Sequence, residues 1–196
     1  IMEKSTLILA SGSPRRKQLL TQIGLDFQVV PNSVNENHDL DLPPEAFAEH
    51  WGREKAKNVA IDYPDNLVIG ADTIVVLDKN ILGKPKDKKE SFGMLKRLSG
   101  RTHEVITGVA IIWKNKEIDI TFHSQTYVTF REIPEKYISF YIDNYSPLDK
   151  AGSYGIQDWF SVWVEKVDGC YFNVMGLPLS TFYQHYQALV NLHIHL

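Results

Sequence analysis

The first half of the chain alternates short apolar runs with amphipathic stretches. TLILA (6–10) and FQVV (27–30) have the length and composition of buried β-strands. Between them, Ser13 and Pro14 stand where a helix N-cap and first turn are expected, and apolar residues then recur at helical spacing until Gly24. These signals predict a strand, a helix and a second strand in that order.

A polar segment follows, and a long apolar run lies beyond it. Residues 31–44 are polar and irregular, and a helix is predicted from 45 to about 62 with its apolar face inward. NLVIGADTIVVL (66–77) is typical of a central strand, because it is apolar on both faces except at Asp72 and Thr73. An ionisable residue inside such a run needs an explanation.

The second half of the chain adds a long hairpin. Two β-branched, alternating runs flank Lys114-Asn115-Lys116, which is typical of two strands joined by a turn. The remaining predictions are a helix at 87–98, hairpin strands at 102–113 and 117–130, a helix at 134–145, a loop at 149–157, a strand at 160–167 and a closing helix at 177–192. Alternating strands and helices followed by a hairpin predict an α/β fold with a mixed sheet. No linker is visible, so we expect one domain over 1–196.

Composition indicates an ordinary globular protein. The chain has 196 residues, 43% hydrophobic and 23% charged, with a formal net charge of -3 and a pI of about 6.2. A mildly acidic chain is a poor candidate for binding a nucleic-acid polymer, which requires a basic surface. The single cysteine, Cys170, allows no internal disulfide and is expected in the core.

The sequence shows no pattern typical of a membrane span or a signal peptide. Apolar runs such as GVAIIW (108–113) are far shorter than the roughly 18 residues that span a bilayer. LILA (7–10) is too short for the apolar region of a signal peptide, and the nearby arginines follow it instead of preceding it. We therefore expect a cytoplasmic protein without a membrane partner.

Two adjacent arginines occupy an unfavourable position. Arg15 and Arg16 fall in the first turn of a predicted helix, where positive charge opposes the helix dipole by about 0.3–1 kcal/mol per charge. Either both side chains point into water, or an anion binds at the helix N-terminus. Free backbone N–H groups there favour phosphate, guanidinium groups add bidentate hydrogen bonds, and the small residues Ser11, Gly12 and Ser13 allow close approach. The GxxxxGK[ST] pattern of P-loop kinases and GTPases is absent.

Asp72 is the second anomaly, because an unpaired charge inside a buried strand is costly. It forms either a structural ion pair or strand-end hydrogen bond, or it serves as a metal ligand or general base, with Gly70 giving access to the backbone. Glu36, in the polar segment, is a solvated loop residue when taken singly, or else a candidate second carboxylate. Carboxylate oxygens of this kind suit Mg²⁺ or Mn²⁺.

Three further polar residues are weak candidates when taken singly. Lys55 and Lys84 are most simply surface lysines, although Lys84 lies in a Gly-Lys-Pro turn close after the Asp72 strand. Gln157 ends a loop rich in glycine and tyrosine, where its amide is able to read the edge of a base. Each of these residues gains meaning only if a phosphate or a nucleobase lies nearby.

A histidine and an aromatic stripe receive structural interpretations. His103 paired with a serine of 11–13 would suggest serine–histidine catalysis, but the G-x-S-x-G elbow and a third partner are missing. Tyr137, Phe140 and Tyr141 share one face of a predicted helix and are expected in the core.

Taken together, the ordered motifs resemble the Maf family of nucleotide pyrophosphatases over almost the whole chain. They are LASGSPRR (9–16), EKA (54–56), GADT (70–73), GKP (83–85), SGRTHEVITGV (99–109), DKAGSYGIQ (149–157) and YFNVMGLPL (171–179). The resemblance implies an inosine-triphosphatase-like fold, an elongated mixed β-sheet flanked by helices with two lobes and a deep cleft, commonly in a homodimer. The implied reaction cleaves nucleoside triphosphates between the α and β phosphates with a divalent metal cation.

The resemblance also implies roles for individual residues. Asp72 resembles the catalytic acidic residue that activates water or holds the metal, and Glu36 resembles the second acidic group near the metal. The implied substrate-binding residues are Ser11, Arg15, Arg16, Lys55, Thr73, Lys84 and Gln157. Among these, Arg15, Thr73 and Gln157 match positions tied to substrate choice.

This chain departs from the family pattern at residues that bear on the nucleobase preference. The YGIQ ending (154–157) is similar to the branch that acts on dTTP and UTP, not to the branch that acts on 7-methyl-GTP. Tyr145-Ser146-Pro147 replaces a GEP that this branch often carries, and Asp158 stands where glycine is usual. Both departures lie near the presumed base pocket.

Our hypothesis is a metal-dependent pyrophosphatase that converts dTTP and UTP to the monophosphate and pyrophosphate. Two alternatives stay open at this point. A nucleotide-binding regulator of septum formation would bind the same ligand with little turnover, and a phosphotransferase would transfer the γ phosphate and leave a diphosphate.

Overall fold

The sheet is mixed, as the sequence predicts. The computed structural model describes residues 7–37 and 39–194, with side chains through 191. Its strands are β1 (Leu7–Leu9), β2 (Phe27–Val29), β3 (Val68–Leu77), β4 (Asn80–Leu82), β5 (Thr102–Trp113), β6 (Ile118–Phe130) and β7 (Val164–Asp168). The order is β2-β1-β3-β5-β6-β7, with β4 paired to β3. β1 is parallel to β2 and β3, whereas β3 with β4 and β6 with β7 are antiparallel. The α/β prediction with a mixed sheet is confirmed.

Among the residues described, five helices lie close to the predicted places, and a sixth, Tyr171–Met175, was not predicted. They are α1 (Pro14–Gln22), α2 (Pro44–Ala60), α3 (Lys88–Leu98), α4 (Glu135–Tyr145), α5 (Tyr171–Met175) and α6 (Leu179–Ile194). Ser13 caps α1, accepting a hydrogen bond from the Arg16 N–H, and Asp87 caps α3 by accepting from Glu90. No helix in the described part of the chain is long and apolar enough to cross a bilayer.

The chain divides into two compact units. The first unit comprises Ile1–Asp72, Thr107–Ser124 and Gly176–Leu196, and the second comprises Thr73–Ile106 and Gln125–Met175. A core cluster of the first unit consists of the buried side chains Ile8, Ala10, Ala56, Val59, Ala60, Val68, Ala110 and Ile112. In the second unit, the rings of Phe130, Tyr154 and Phe160 pack together.

Helix α2 approaches the strands of the first unit unusually closely. A Cβ atom at Gly70 would lie 2.4 Å from the Gly52 carbonyl oxygen, and one at Gly108 would lie 2.2 Å from the Ala48 carbonyl oxygen. Real side chains do not tolerate such distances, so glycine is needed at both positions. The expectation that Gly70 leaves the backbone open to a ligand is therefore wrong, because α2 occupies that space.

The sequence-based prediction fails in part near the end of the second unit. Residues 160–163, predicted as strand, belong to a 3₁₀ helix at Trp159–Trp163, because the Asp158 side chain caps it by accepting a hydrogen bond from the Phe160 N–H. Of the aromatic stripe on α4, Tyr141 is buried as expected, but Tyr137 and Phe140 are 37% and 44% exposed. Cys170, expected in the core, is partly exposed.

Candidate active site

The start of α1 brings the first predicted motif together. Ser11 is buried, and its Oγ accepts hydrogen bonds from the Ser13 N–H at 3.2 Å and from Arg16 Nη1 at 3.3 Å. Arg16 Nε donates to the carbonyl of Gly176, at 2.8 Å, just before α6 begins. The guanidinium of Arg16 is thus held in one orientation by two parts of the first unit.

Charge around Arg16 is partly balanced by the protein itself. Burial lowers the pKa of Arg16 from its ordinary value to about 10, and the positive charge of Arg15 acts in the same direction. The carboxylates of Asp72 and Glu36 oppose this shift. Arg15 and Arg16 are both partly buried and both take part in interactions within the protein. Arg16 is therefore close enough to Asp72 and Glu36 to feel their negative charge within the protein itself.

Lys55 joins the two predicted carboxylates. Its Nζ lies 2.7 Å from Asp72 Oδ1 and 2.8 Å from Glu36 Oε1. Lys55 and Asp72 are 8% and 7% exposed, whereas the Glu36 side chain is 26% exposed. We call this group the charged triad: a buried lysine, a buried aspartate and a partly exposed glutamate. Buried charges are tolerated when they are paired in this way.

Two features of the fold place the triad. Lys55 lies on α2 and Asp72 lies on β3, and the glycines described above let this helix and strand approach closely. Glu36 comes from the polar segment after β2, which side-chain hydrogen bonds attach to the rest of the first unit. Asn32 Nδ2 donates to the Ala10 carbonyl at 2.8 Å, and the Ser33 N–H donates to Asn58 Oδ1 at 2.9 Å.

The remaining predicted residues belong to the second unit. Thr73 follows Asp72 on β3 and is partly buried, while Lys84 and Gln157 are exposed. The turn that holds Lys84 and the loop that ends at Gln157 are joined by a hydrogen bond from the Gly152 N–H to the Gly83 carbonyl, at 3.1 Å. The structure thus brings Ser11, Arg16, Lys55, Asp72 and Glu36 together in the first unit, and attaches the Lys84 and Gln157 segments to each other in the second.

His103 does not have the properties of a general base. It is 2% exposed, its Nε2 is hydrogen-bonded to the Tyr154 hydroxyl at 2.7 Å, and burial lowers its pKa from 6.5 to about 3. A histidine this weakly basic is a poor proton acceptor near neutral pH. The geometry supports the structural interpretation of His103.

Sequence reasoning missed one polar connection in the second unit. The buried Tyr141 hydroxyl is hydrogen-bonded to both Gly155 and Asp158, on either side of Gln157. A helical aromatic stripe carries no signal that distinguishes such a tyrosine from a purely apolar core residue. The available signal in the sequence was Asp158, which stands where the family resemblance leads us to expect glycine.

The fold and this site define the class of the protein: an α/β protein with a mixed sheet and a buried charged triad linking a helix to the central strand. The chain belongs to the Maf family, because the model of the family described as Maf-like protein matches residues 6–189. The family resemblance stated from the motifs is confirmed.

Several proteins similar to this chain are named dTTP/UTP pyrophosphatase. A dTTP/UTP pyrophosphatase from Koribacter versatilis is 48% identical over 91% of this chain and 91% of its own length. A dTTP/UTP pyrophosphatase from Thermotoga maritima is 47% identical, with 91% and 87% covered, and one from Cytophaga hutchinsonii is 42% identical, with 97% and 87% covered. Among solved structures, a HAM1 protein from Coxiella burnetii aligns with 67% of this chain and 75% of its own length, at a TM-score of 0.45 and 14% identity.

Proposed function

We propose that this protein is a metal-dependent nucleoside triphosphate pyrophosphatase that converts dTTP and UTP to the monophosphate and pyrophosphate. The observation that carries the proposal is the charged triad, in which Lys55 holds Asp72 and Glu36 at 2.7 and 2.8 Å. The names of the curated relatives support the choice of reaction and substrate.

The triphosphate is assigned to the positive groups near the start of α1. The backbone N–H groups there, together with Arg15 and Arg16, suit a phosphate chain. Arg16 is already oriented by Ser11 and by the Gly176 carbonyl, so little side-chain entropy is lost when phosphate binds. Lys55 and Lys84 are the further cations that we assign to the phosphates and the leaving pyrophosphate.

Asp72 is assigned to the attacking water. Lys55 donates to Oδ1 of Asp72, and we assign the second carboxylate oxygen, Oδ2, to orient the water and accept its proton. Attack of this water on the α phosphorus forms a new P–O bond and breaks the bond to the bridging oxygen, which leaves with pyrophosphate. The cations named above offset the charge that develops on that oxygen.

The residues present fit a divalent cation bound together with substrate. The described residues hold no group of three or more His, Cys, Asp or Glu side chains that could ligate a metal. Mg²⁺ commonly binds through one or two carboxylates plus substrate phosphates, and Glu36 and Asp72 supply such a pair. When bound, Mg²⁺ or Mn²⁺ would supply Lewis-acid stabilisation of phosphate charge.

Base selection is assigned to the second unit. Gln157 is exposed at the end of its loop, and its amide offers both a donor and an acceptor to the edge of a pyrimidine. Thr73 and Arg15 are assigned supporting roles in substrate choice. We also propose a homodimer, which size-exclusion chromatography with light scattering tests directly.

A nucleotide panel tests the proposal. The protein is incubated with dTTP, UTP, CTP, dATP and GTP, with Mg²⁺, with Mn²⁺ and with EDTA, and the products are separated by ion-exchange chromatography. The expected products are dTMP or UMP with pyrophosphate, only when metal is present. Orthophosphate with a nucleoside diphosphate would support γ-phosphate chemistry instead, and tight dTTP binding without product would support a regulator.

A further inference from the structure

Gln157 stands at the tip of a short turn in the second unit. The Asp158 N–H donates to the Gly155 carbonyl at 3.4 Å, which closes the turn over Gly155, Ile156, Gln157 and Asp158. Gly155 and Ile156 are buried, whereas Gln157 is exposed. The turn therefore presents the Gln157 side chain outward from a buried base.

One buried hydroxyl holds both ends of this turn. The Gly155 N–H donates to Tyr141 Oη at 3.0 Å, and Tyr141 Oη in turn donates to Asp158 Oδ2 at 2.9 Å. Tyr141 comes from α4 and is 0% exposed. Because its ring is packed on all sides, the hydroxyl is a fixed point to which the turn is attached.

The Asp158 carboxylate connects the turn to the 3₁₀ helix that follows it. Its Oδ1 accepts a hydrogen bond from the Phe160 N–H at 2.9 Å, which starts the 3₁₀ helix at Trp159–Trp163. A Cβ atom at residue 155 would lie 2.5 Å from Asp158 Oδ2, so the carboxylate packs directly against Gly155. Glycine at 155 and aspartate at 158 are thus matched to each other.

The Tyr141 hydroxyl keeps its proton near neutral pH. Burial, with the negative charge of Asp158 as a second cause, raises the pKa of Tyr141 well above its usual value of 10.0. The tyrosine therefore stays neutral near pH 7 and keeps the proton that it donates to Asp158.

From this geometry we infer that Tyr141 and Asp158 are positioning residues that set the nucleobase preference by holding Gln157 in place. The inference rests on the proposed function, in which Gln157 contacts the base. It assigns a role to Asp158, whose carboxylate packs against Gly155, and to a tyrosine with no direct part in the chemistry.

The test uses Tyr141→Phe, which removes only the hydroxyl, with Tyr145→Phe as the matched control. Tyr145 stacks on Tyr141 with ring centroids 5.4 Å apart but is 40% exposed. For Tyr141→Phe we expect the KM for dTTP to rise about three- to tenfold with kcat nearly unchanged, since a ground-state contact to the base is weakened. The ratio of kcat/KM between dTTP and CTP should fall by a similar factor.

Three further measurements separate positioning from general damage. The affinity for inorganic tripolyphosphate, which has no base, should match wild type. Hydrogen exchange of the Gly155 amide should be faster in Tyr141→Phe but not in Tyr145→Phe. Asp158→Ala should raise the KM for dTTP as Tyr141→Phe does. Asp158→Asn should raise it less, because an asparagine Oδ1 still accepts a hydrogen bond from the Phe160 N–H.

The outcomes distinguish this inference from the proposed function. If Gln157→Ala changes the base preference and Tyr141→Phe does not, the inference is wrong. If Gln157→Ala leaves the preference unchanged in an active enzyme, the assignment of Gln157 is wrong and the inference fails with it. Absence of pyrophosphate release by the wild-type protein from every nucleotide would overturn the proposed function itself, and the exchange of the Gly155 amide would still report on the turn.

Discussion

The two units bury different kinds of polar group. In the first unit, full charges are buried: Lys55 and Asp72 are 8% and 7% exposed, with Glu36 completing the triad. In the second unit the prominent buried polar groups are neutral at pH 7, including the His103 imidazole and the Tyr141 hydroxyl. Both units therefore depend on buried hydrogen bonds, but the buried charged side chains, Lys55 and Asp72, lie in the first. In the second unit, the buried Tyr141 hydroxyl is neutral and donates to the partly exposed Asp158 carboxylate.

This difference indicates a division of labour. Buried ion pairs seldom add net stability compared with apolar packing of the same volume, so a charged triad suggests a role beyond folding. Neutral hydrogen bonds in an apolar environment fix geometry without attracting ions. We expect the buried charges of the first unit to contribute most to phosphate and metal binding, and the fixed turn that carries Gln157 in the second unit to contribute most to base selection.

The largest effect is expected when one charge is removed from the triad. Asp72→Asn should lower the rate of pyrophosphate release by about 10²–10⁴-fold, because an amide is unable to accept the proton of water. Lys55 keeps its contact with Glu36 at 2.8 Å, so the free energy of unfolding should fall by only about 2 kcal/mol. Rates follow from a coupled pyrophosphate assay, and stability from urea unfolding.

Asp119→Asn is the control for Asp72→Asn. Asp119 belongs to the same unit and pairs with Arg53, but both side chains are well exposed, at 38% and 40%. Exposed pairs contribute little, and we expect a rate within about twofold of wild type. Equal rates for Asp72→Asn and wild type would show that the buried charge of Asp72 does not serve catalysis. The proposed difference in role between the two units would then be wrong.

The next prediction concerns the packing that brings the triad together. Gly70→Ala places a Cβ atom 2.4 Å from the Gly52 carbonyl oxygen and 2.5 Å from the Ala56 backbone nitrogen. Backbone atoms of α2 must move, so we expect a loss of about 3 kcal/mol in unfolding free energy. Displacement of α2 also moves Lys55 relative to Asp72, and activity should fall in the fraction that remains folded.

Gly93→Ala provides a glycine substitution without a clash. Gly93 lies inside α3 of the second unit, and a Cβ atom there would meet nothing within 4 Å. Alanine is favoured over glycine in a helix interior, so this variant should gain about 1 kcal/mol. Thermal unfolding of both variants shows whether the close approach at Gly70, and not glycine replacement in general, controls the triad.

Most of the fold could be predicted from the sequence because its signals are local. Ser13 and Pro14 mark the start of α1, and the apolar run around Asp72 marks β3. The prediction failed where a side chain overrides the local pattern: Asp158 caps a 3₁₀ helix inside a run that alternates like a strand. The five-residue helix α5 was too short to produce a periodic signal.

The candidate site was predicted less completely, since its contacts are tertiary. Asp72 and Arg16 were identified from their unfavourable positions in the sequence, whereas Lys55 and Glu36 were weak candidates until the family resemblance was considered. Its pairing with Asp72, 17 positions along the chain, depends on how α2 docks on β3. The same docking overturned the interpretation of Gly70, because no local pattern shows which helix will fill the space beside a glycine.

The smallest of these effects tests the neutral character of the second unit. Burial lowers the pKa of His103 to about 3 in the folded protein, whereas an unfolded histidine has a pKa near 6.5. Below pH 6.5 the unfolded chain binds a proton that the folded chain does not, so stability falls as the pH falls toward 3. Between pH 7 and pH 5 this linkage should remove about 2 kcal/mol from the free energy of unfolding.

His103→Gln isolates this contribution, since glutamine can still bond the Tyr154 hydroxyl but does not titrate. The variant should lose about 2 kcal/mol less than wild type between pH 7 and pH 5, measured by urea unfolding at each pH. An identical slope for His103→Gln and wild type would mean that His103 is protonated in the folded state. The second unit would then also hold a buried charge. Buried charge would therefore no longer distinguish the unit assigned to phosphate binding from the unit assigned to base selection.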